Sequence, residues 1–415
     1  MPDEMNMAQN AENMMRDTQG RDGSQIDAPP GEGTGSSAAI KGKRLPVLAT
    51  ALTFAVILGG GFVANRLYTP PEVSTSERRL LATMPDLSWD ALSEGSFTAD
   101  FEKFAADSFI AREALRTLKA WTVFYPFAET DKAGLYLGDS GAGRFQRLDV
   151  ASARRVAEKI TRVVGGYLDG LNIYWGFVPD KSVYAGRYLP GFDPAAATAV
   201  MTPVLGDEGY IDLGDVLSAA AFYRTDLHWN QPWLRPVVER LSERMGFEMS
   251  WPGSTPPVSG TAQLPPSIGD FQGVYPGQLA LSVPDDQLQY LPLPAQITAQ
   301  YFDVSTLTWV DGPIYDEAEF ASADPYSFFL RGPQALIRID NPDAPTDREL
   351  FLFRDSFGSS LAPLLATSYA RVTLIDLRYI DIRLVPEYVE FTPGSDALFL
   401  YSSQILNSHS VLLVP

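Results

Sequence analysis

The sequence predicts an α/β domain of three layers with a mostly parallel sheet, set behind an N-terminal transmembrane helix. Two observations predict it. Leu45 to Ala64 is a run of twenty residues without a charge, and the last hundred residues alternate short apolar strands with helical stretches. Strand, helix, strand, helix, strand implies parallel pairing through right-handed crossovers. The chain is long enough for a real core, with 415 residues, 45% of them hydrophobic and 20% charged.

Residues 1–44 are polar, with seven Asp/Glu and five Lys/Arg, and read as a disordered tail. The apolar run follows Lys41-Gly42-Lys43-Arg44. As a helix it spans about 30 Å, one bilayer core. A cleaved signal peptide has a shorter apolar region nearer the start, and a buried soluble helix rarely runs so long uncharged. Residues 45–67 therefore read as an uncleaved signal anchor. The basic residues before the run, against Arg66 alone beyond it, place the N-terminus inside. The expected location is the cell membrane, single-pass, with the C-terminal domain extracytoplasmic.

Residues 68–130 read as a stalk, opened by Thr69-Pro70-Pro71, and a helical part in which Phe97 to Trp121 carry helical spacing. The folded domain is expected over 131–415. Val156, Ile160, Val163, Val164, Tyr167, Leu168 and Leu171 fall on one face of an amphipathic helix. Ile173 to Val178 is a short buried strand ended by Pro179. Trp233, Val237, Val238, Leu241 and Met245 mark another helix. Residues 251–300 are rich in Pro and Gly without a clear period, and read as part of an irregular insertion near 251–320. Leu350 to Phe353 is a strand, Phe357 to Tyr369 a helix weakened by Pro363, and Val372 to Ile375 a strand. Val385 to Phe391 is a short helix and Ala397 to Tyr401 a strand.

Composition excludes several functions. A net charge of −19 disfavours nucleic acid, whose phosphates call for Lys and Arg clusters. With no cysteine there is no disulfide scaffold, Cys nucleophile or thiolate metal site, and with only two histidines, His228 and His409, a multi-histidine metal site is all but excluded. No metal or cofactor is expected.

Ser356 stands in Arg354-Asp355-Ser356-Phe357-Gly358, where a strand ends and a helix begins. Sites in parallel sheets form at the carboxyl ends of strands. A helix N-terminus favours a developing oxyanion. The plainer reading makes Ser356 or Asp355 an N-cap. Asp226 and His228 stand two apart in Tyr223-Arg224-Thr225-Asp226-Leu227-His228-Trp229. In an extended segment they face the same side, so the carboxylate can hold one ring nitrogen and leave the other to take a proton from a serine. The plainer reading is a structural histidine beside an exposed aspartate. The two segments together form a stronger signal than either alone. Arg378, after the next strand, belongs to the crevice rim or to a surface salt bridge. Trp229 alternates away from His228 and packs behind the site rather than stacking on sugar. His409 reads as structural. Gly138-Asp139-Ser140 reads as a hairpin turn rather than a nucleophile motif.

Phe222 to Asn230 resembles the signature of the DHHW family, with Leu227 where the family name has its first His. Ser76 to Pro85, Gly95-Ser96-Phe97, Asp107 to Arg112, Val178-Pro179-Asp180-Lys181, Asp324 to Leu330, Arg354 to Gly358 and Ile375 to Tyr379 continue the resemblance in family order over roughly 72–405. That family is similar to the alginate O-acetylation proteins. The resemblance implies an SGNH-hydrolase-like, flavodoxin-like domain. It implies Ser356 as nucleophile, His228 as general base and Asp226 as its orienter. It implies action on acetyl groups of a cell-surface polysaccharide, with a membrane-bound acyltransferase as partner supplying them. Gln334, where relatives have Gly-Gly-Asn, becomes a candidate second oxyanion donor. Tyr326 and Asn230, inside matched segments, join Arg378 and Trp229 as substrate-binding or oxyanion candidates. Three functions follow: an O-acetyltransferase or acetylesterase sharing an acyl-serine intermediate, a catalytically silent scaffold of an envelope assembly complex, and a carbohydrate-binding module.

Overall fold

The computed structural model describes residues 38–185, 191–252 and 266–415, with side chains from residue 48 onward. Of the tail expected to be disordered, residues 1–37 lie outside the described residues, as does 253–265 of the Pro/Gly-rich stretch. The chain divides into two compact units, Met1–Tyr68 and Thr69–Pro415. Among the described residues of the first is the helix Ala38–Leu67. Its segment Leu48–Leu67 is long and apolar enough to cross a membrane. The helix starts before the apolar run and takes in the basic stretch 41–44.

The second unit opens with a hairpin, Val73–Ser74 against Arg79–Leu80. Three helices follow, Trp89–Glu94, Ser96–Asp107 and Arg112–Phe124; the last two divide the stretch from Phe97 to Trp121 whose spacing suggested helix. Gly95 ends the first with a left-handed φ of 78°, a conformation costly for residues bearing a Cβ. Leu135–Gly138 pairs antiparallel with Gly141–Arg144, so Asp139 and Ser140 form a hairpin turn.

Eight strands build the main sheet: β1 (Asn172–Val178), β2 (Tyr210–Ile211), β3 (Thr298–Asp303), β4 (Thr308–Gly312), β5 (Leu336–Asp340), β6 (Glu349–Arg354), β7 (Arg371–Ile375) and β8 (Asp396–Ser402). Their spatial order is β4-β3-β5-β7-β6-β8-β1-β2. From β7 to β2 all neighbours are parallel. β5, β3 and β4 extend the sheet antiparallel. The stretch read as irregular thus holds two strands of the main sheet, and also a strand pair, Ser267–Phe271 with Asp286–Gln289. Their sequences, interrupted by Gln and Asp, carry no clean apolar alternation, which is why period alone missed them.

Alternation along β6 and β8 creates the three layers. Leu350, Leu352, Leu398 and Leu400 face one side, with helices Arg235–Met245 and Gly358–Leu365. Phe351, Phe353, Ala397 and Phe399 face the other, with helices Val150–Tyr167 and Pro194–Leu205. Val385 to Phe391, expected as a helix, holds only a 3-10 turn, Val385–Glu387.

The amino ends of β8 and β1 are pinned by Asp396, which is fully buried. It accepts from Tyr369 Oη at 2.8 Å and Asn172 Nδ2 at 3.0 Å, and pairs with Arg348. Removing a buried carboxylate strands these donors. Asp396→Ala should lower unfolding free energy by roughly 3 kcal/mol, read from urea denaturation; a change within experimental error would deny it this role.

Candidate active site

β6 reads Glu-Leu-Phe-Leu-Phe-Arg and is buried on both faces beyond Glu349. It ends at Arg354, and the chain turns through Asp355-Ser356-Phe357 into helix Gly358–Leu365. Asp355 shapes the turn: Oδ1 accepts from Phe357 N at 3.1 Å and Oδ2 from Ser402 N at 2.8 Å. Gly358 is required here, since a Cβ would meet the Arg354 side chain at 2.7 Å. From 350 to 369 every residue is buried except Ser356, which is partly exposed. The turn therefore lifts one hydroxyl out of the core at the carboxyl end of the parallel sheet.

The second segment is a tight loop closed by a bridge between Phe222 and Trp229. Tyr223 N bonds His228 O, and Asn230 N bonds Ala221 O. Residues 224–228 bend at its tip rather than run extended. Asp226 and His228 still meet, because Asp226 Oδ1 accepts from both the His228 N–H at 3.0 Å and Nδ1 at 2.6 Å. Oδ2 accepts from Val274 N at 3.1 Å. Across the site His228 Nε2 lies 2.8 Å from Ser356 Oγ. Asp226, His228 and Ser356 thus form one hydrogen-bonded line, joined over 128 residues of sequence.

Burial works against the charge on Asp226. The His228 ring beside it and the N–H groups of His228 and Val274 outweigh that, and hold its carboxyl well below the usual range. The group thus stays ionised, and the stability it contributes is lost only as pH falls through that depressed range.

Further residues hold this line in place. The Tyr326 ring stacks on His228 with centroids 3.8 Å apart and planes 5° apart. Its hydroxyl donates to Ser360 Oγ at 2.8 Å. Trp229 is fully buried, and its Nε1 donates to Phe357 O at 3.0 Å and Ser360 Oγ at 2.9 Å. As a substrate contact Trp229 is corrected by this burial: it stands behind the site and ties the His228 loop to the turn and helix after Ser356. Asn230 reaches Gln289 Oε1 at 3.5 Å. Gln334 donates to Arg331 O at 3.1 Å and bonds no member of the line among the described residues. Arg378 is partly buried and pairs with Asp376 through Nε at 2.8 Å and Nη2 at 2.6 Å. Asp376 also meets the buried Arg354, at 3.5 Å. Arg378 thus sits at the carboxyl end of β7, held by a buried partner rather than a surface one. His409 lies against Ser152 and Arg155. Among the described residues no cluster of three His, Asp or Glu could hold a metal.

Sequence reading overlooked two supports. Asp286 accepts from Arg224 N, Thr225 N and Thr225 Oγ1 at 2.7–2.9 Å, and no sequence signal marks it. Lys181 is buried, and its ammonium donates to the carbonyls of Ala142 and Tyr223 at 2.7 Å and of Asp226 at 3.0 Å. A lysine just past a buried strand and Pro179 was the available clue. Burial lowers its pKa from 10.5 to about 8, while Asp226, Asp286 and Asp180 pull the other way. The unfolded chain keeps this proton longer, so the lysine's contribution to stability rises with pH between those values.

Lys181→Met keeps the aliphatic stem and leaves three carbonyls unpaired. It should destabilise the protein by about 3 kcal/mol and remove this alkaline rise from the stability profile; urea denaturation across pH checks both.

No family model matches the sequence, and no curated protein matches it. Solved structures do. A DHHW family protein from Eubacterium siraeum is 17% identical over 68% of this chain and 94% of its own, with a TM-score of 0.54. Bacillus cereus PatB1, seen with a sulfonyl adduct, is 16% identical over 66% and 96%, with a TM-score of 0.48. The O-acetyltransferase domain of Pseudomonas putida AlgJ is 13% identical over 67% and 93%, with a TM-score of 0.36. The second unit of this chain, with its mostly parallel sheet between helices, is similar in fold to a DHHW family protein.

Proposed function

We propose that the second unit is a serine acyltransferase that moves acetyl groups onto a cell-surface polysaccharide. The observation that carries this is the line from Asp226 through His228 to Ser356, with contacts of 2.6 and 2.8 Å. In this reading Ser356 Oγ attacks the acetyl carbonyl carbon and its proton passes to His228 Nε2. The carbon–oxygen bond to the donor breaks, and the same proton goes to the leaving oxygen. A sugar hydroxyl then attacks the acyl-serine, gives its proton to Nε2, and Ser356 takes it back. Asp226 holds Nδ1–H and favours the imidazolium that forms at each step.

The oxyanion forms at the start of helix Gly358–Leu365. The N–H groups of Phe357, Gly358 and Ser359 are engaged by Asp355 and Ser356, which leaves the Ser356 N–H as donor. The polysaccharide and an acyl-supplying membrane partner enter through the sequence resemblance. Leu48–Leu67 serves as the signal anchor with the N-terminus inside, keeping the enzyme beside polymers as they are exported. A silent scaffold would need none of these short contacts.

The full chain in detergent should release nitrophenol from p-nitrophenyl acetate. Ser356→Ala and His228→Ala should each cut turnover by roughly a thousandfold or more, without adding to one another when combined, since they act as a unit. Asp226→Ala should lose less. A folded Ser356→Ala variant that keeps the wild-type rate would remove the enzyme reading. Acetylated oligosaccharide formed when acceptor is added would separate transfer from hydrolysis.

A further inference from the structure

Helix Arg112–Phe124 is turned inside out. Its arginines point inward: Arg112 and Arg116 are 10% and 17% exposed and ion-pair with Glu77 of the 73–80 hairpin. Arg116 also donates to Gly277 O at 2.7 Å. The stripe on its other side, continued one residue past the helix by Tyr125, points out. Leu115, Leu118, Trp121 and Tyr125 are 50%, 56%, 51% and 58% exposed. Trp121 and Tyr125 pair their rings at 5.9 Å. Nearby in sequence, Leu87, Trp89 and Phe127 are 70%, 87% and 73% exposed. A helix that turns both its arginines inward and leaves an apolar stripe in the open is made to be covered.

Chain connectivity says by what. The apolar segment ends at Leu67 and the hairpin begins at Val73. The five residues between them reach at most about 17 Å when fully extended. The hairpin grips the helix directly, through Glu77 to Arg112 and Ser76 to Glu113. Trp, Tyr and Phe on an exposed stripe are the side chains that settle at the headgroup boundary of a bilayer. We infer that the Leu115–Leu118–Trp121–Tyr125 stripe, with Trp89 and Phe127, rests on the lipid surface of the membrane that Leu48–Leu67 crosses. This rests on the anchor reading of that segment.

The chain has no cysteine, so single spin labels can be placed cleanly. The full chain, labelled at Leu118→Cys, Trp121→Cys, Val56→Cys or Val304→Cys, is reconstituted into vesicles of phosphatidylcholine with phosphatidylglycerol. Collision with oxygen, which partitions into lipid, is compared with collision with a water-soluble nickel chelate. Val56 lies inside the apolar segment, and Val304 is exposed on the turn between β3 and β4. The inference expects oxygen-to-nickel ratios at Leu118 and Trp121 severalfold above that at Val304, approaching that at Val56. Ratios equal to Val304 overturn it, because the stripe then faces water. Loss of access to both reagents also overturns it, because another protein surface then covers the stripe. A water-exposed Val56 overturns the anchor reading and this inference together, whereas a lipid-exposed Val56 with a wet Leu118 overturns the inference alone.

Discussion

The site depends on one constraint: a carboxylate sealed from water must find all its partners in protein. Asp226 is only 1% exposed. Its oxygens are satisfied by the His228 ring, the His228 N–H and the Val274 N–H. Each of these fixes a piece of chain. The His228 contacts fold the loop tip back on itself, and the Val274 contact draws in the segment beside it. That segment then has no room to spare, since a Cβ on Gly273 would meet Asp226 at 2.3 Å. Leaving a buried acceptor unpaired costs more than any one of these bonds contributes, so they form together.

The supports converge on the same loop from independent elements. Lys181 follows β1, Asp286 opens the strand beside Gln289, and Tyr326 belongs to the turn Pro325–Phe328. The imidazole is gripped on its face by Tyr326, at Nδ1 by Asp226 and at Nε2 by Ser356. A ring so held keeps one orientation, because turning it would break its bonds at both nitrogens.

What the sequence made legible follows from range. β6, β7 and β8 are continuous apolar runs, so their strand character and parallel order could be read locally. Ser356 announced itself by standing where strand meets helix, and Asp226 with His228 by spacing and by the scarcity of histidine. The antiparallel strands β3 and β4 were hidden because they lie toward the sheet edge and carry polar residues on one face. Asp286 and Lys181 were hidden for another reason: their partners are mainly backbone atoms 39 to 62 residues away, and backbone leaves no mark in a sequence. Trp229 was placed behind the site by alternation and is indeed buried, though the loop bends where an extended strand was assumed.

The order in which strands enter the sheet has a consequence for timing. β8, which follows the other seven strands of this sheet in the chain, lies between β6 and β1 at the middle of the parallel half, and its end at Ser402 closes the Asp355 turn that presents Ser356. Until β8 has been made and has entered the sheet, the parallel half is split and the serine turn lacks its clamp. A chain still growing toward β8 cannot assemble this site piecemeal. The turn is closed only once β8 is in place, and a product truncated before Asp396 is a different, unclosed molecule rather than a weaker version of this one.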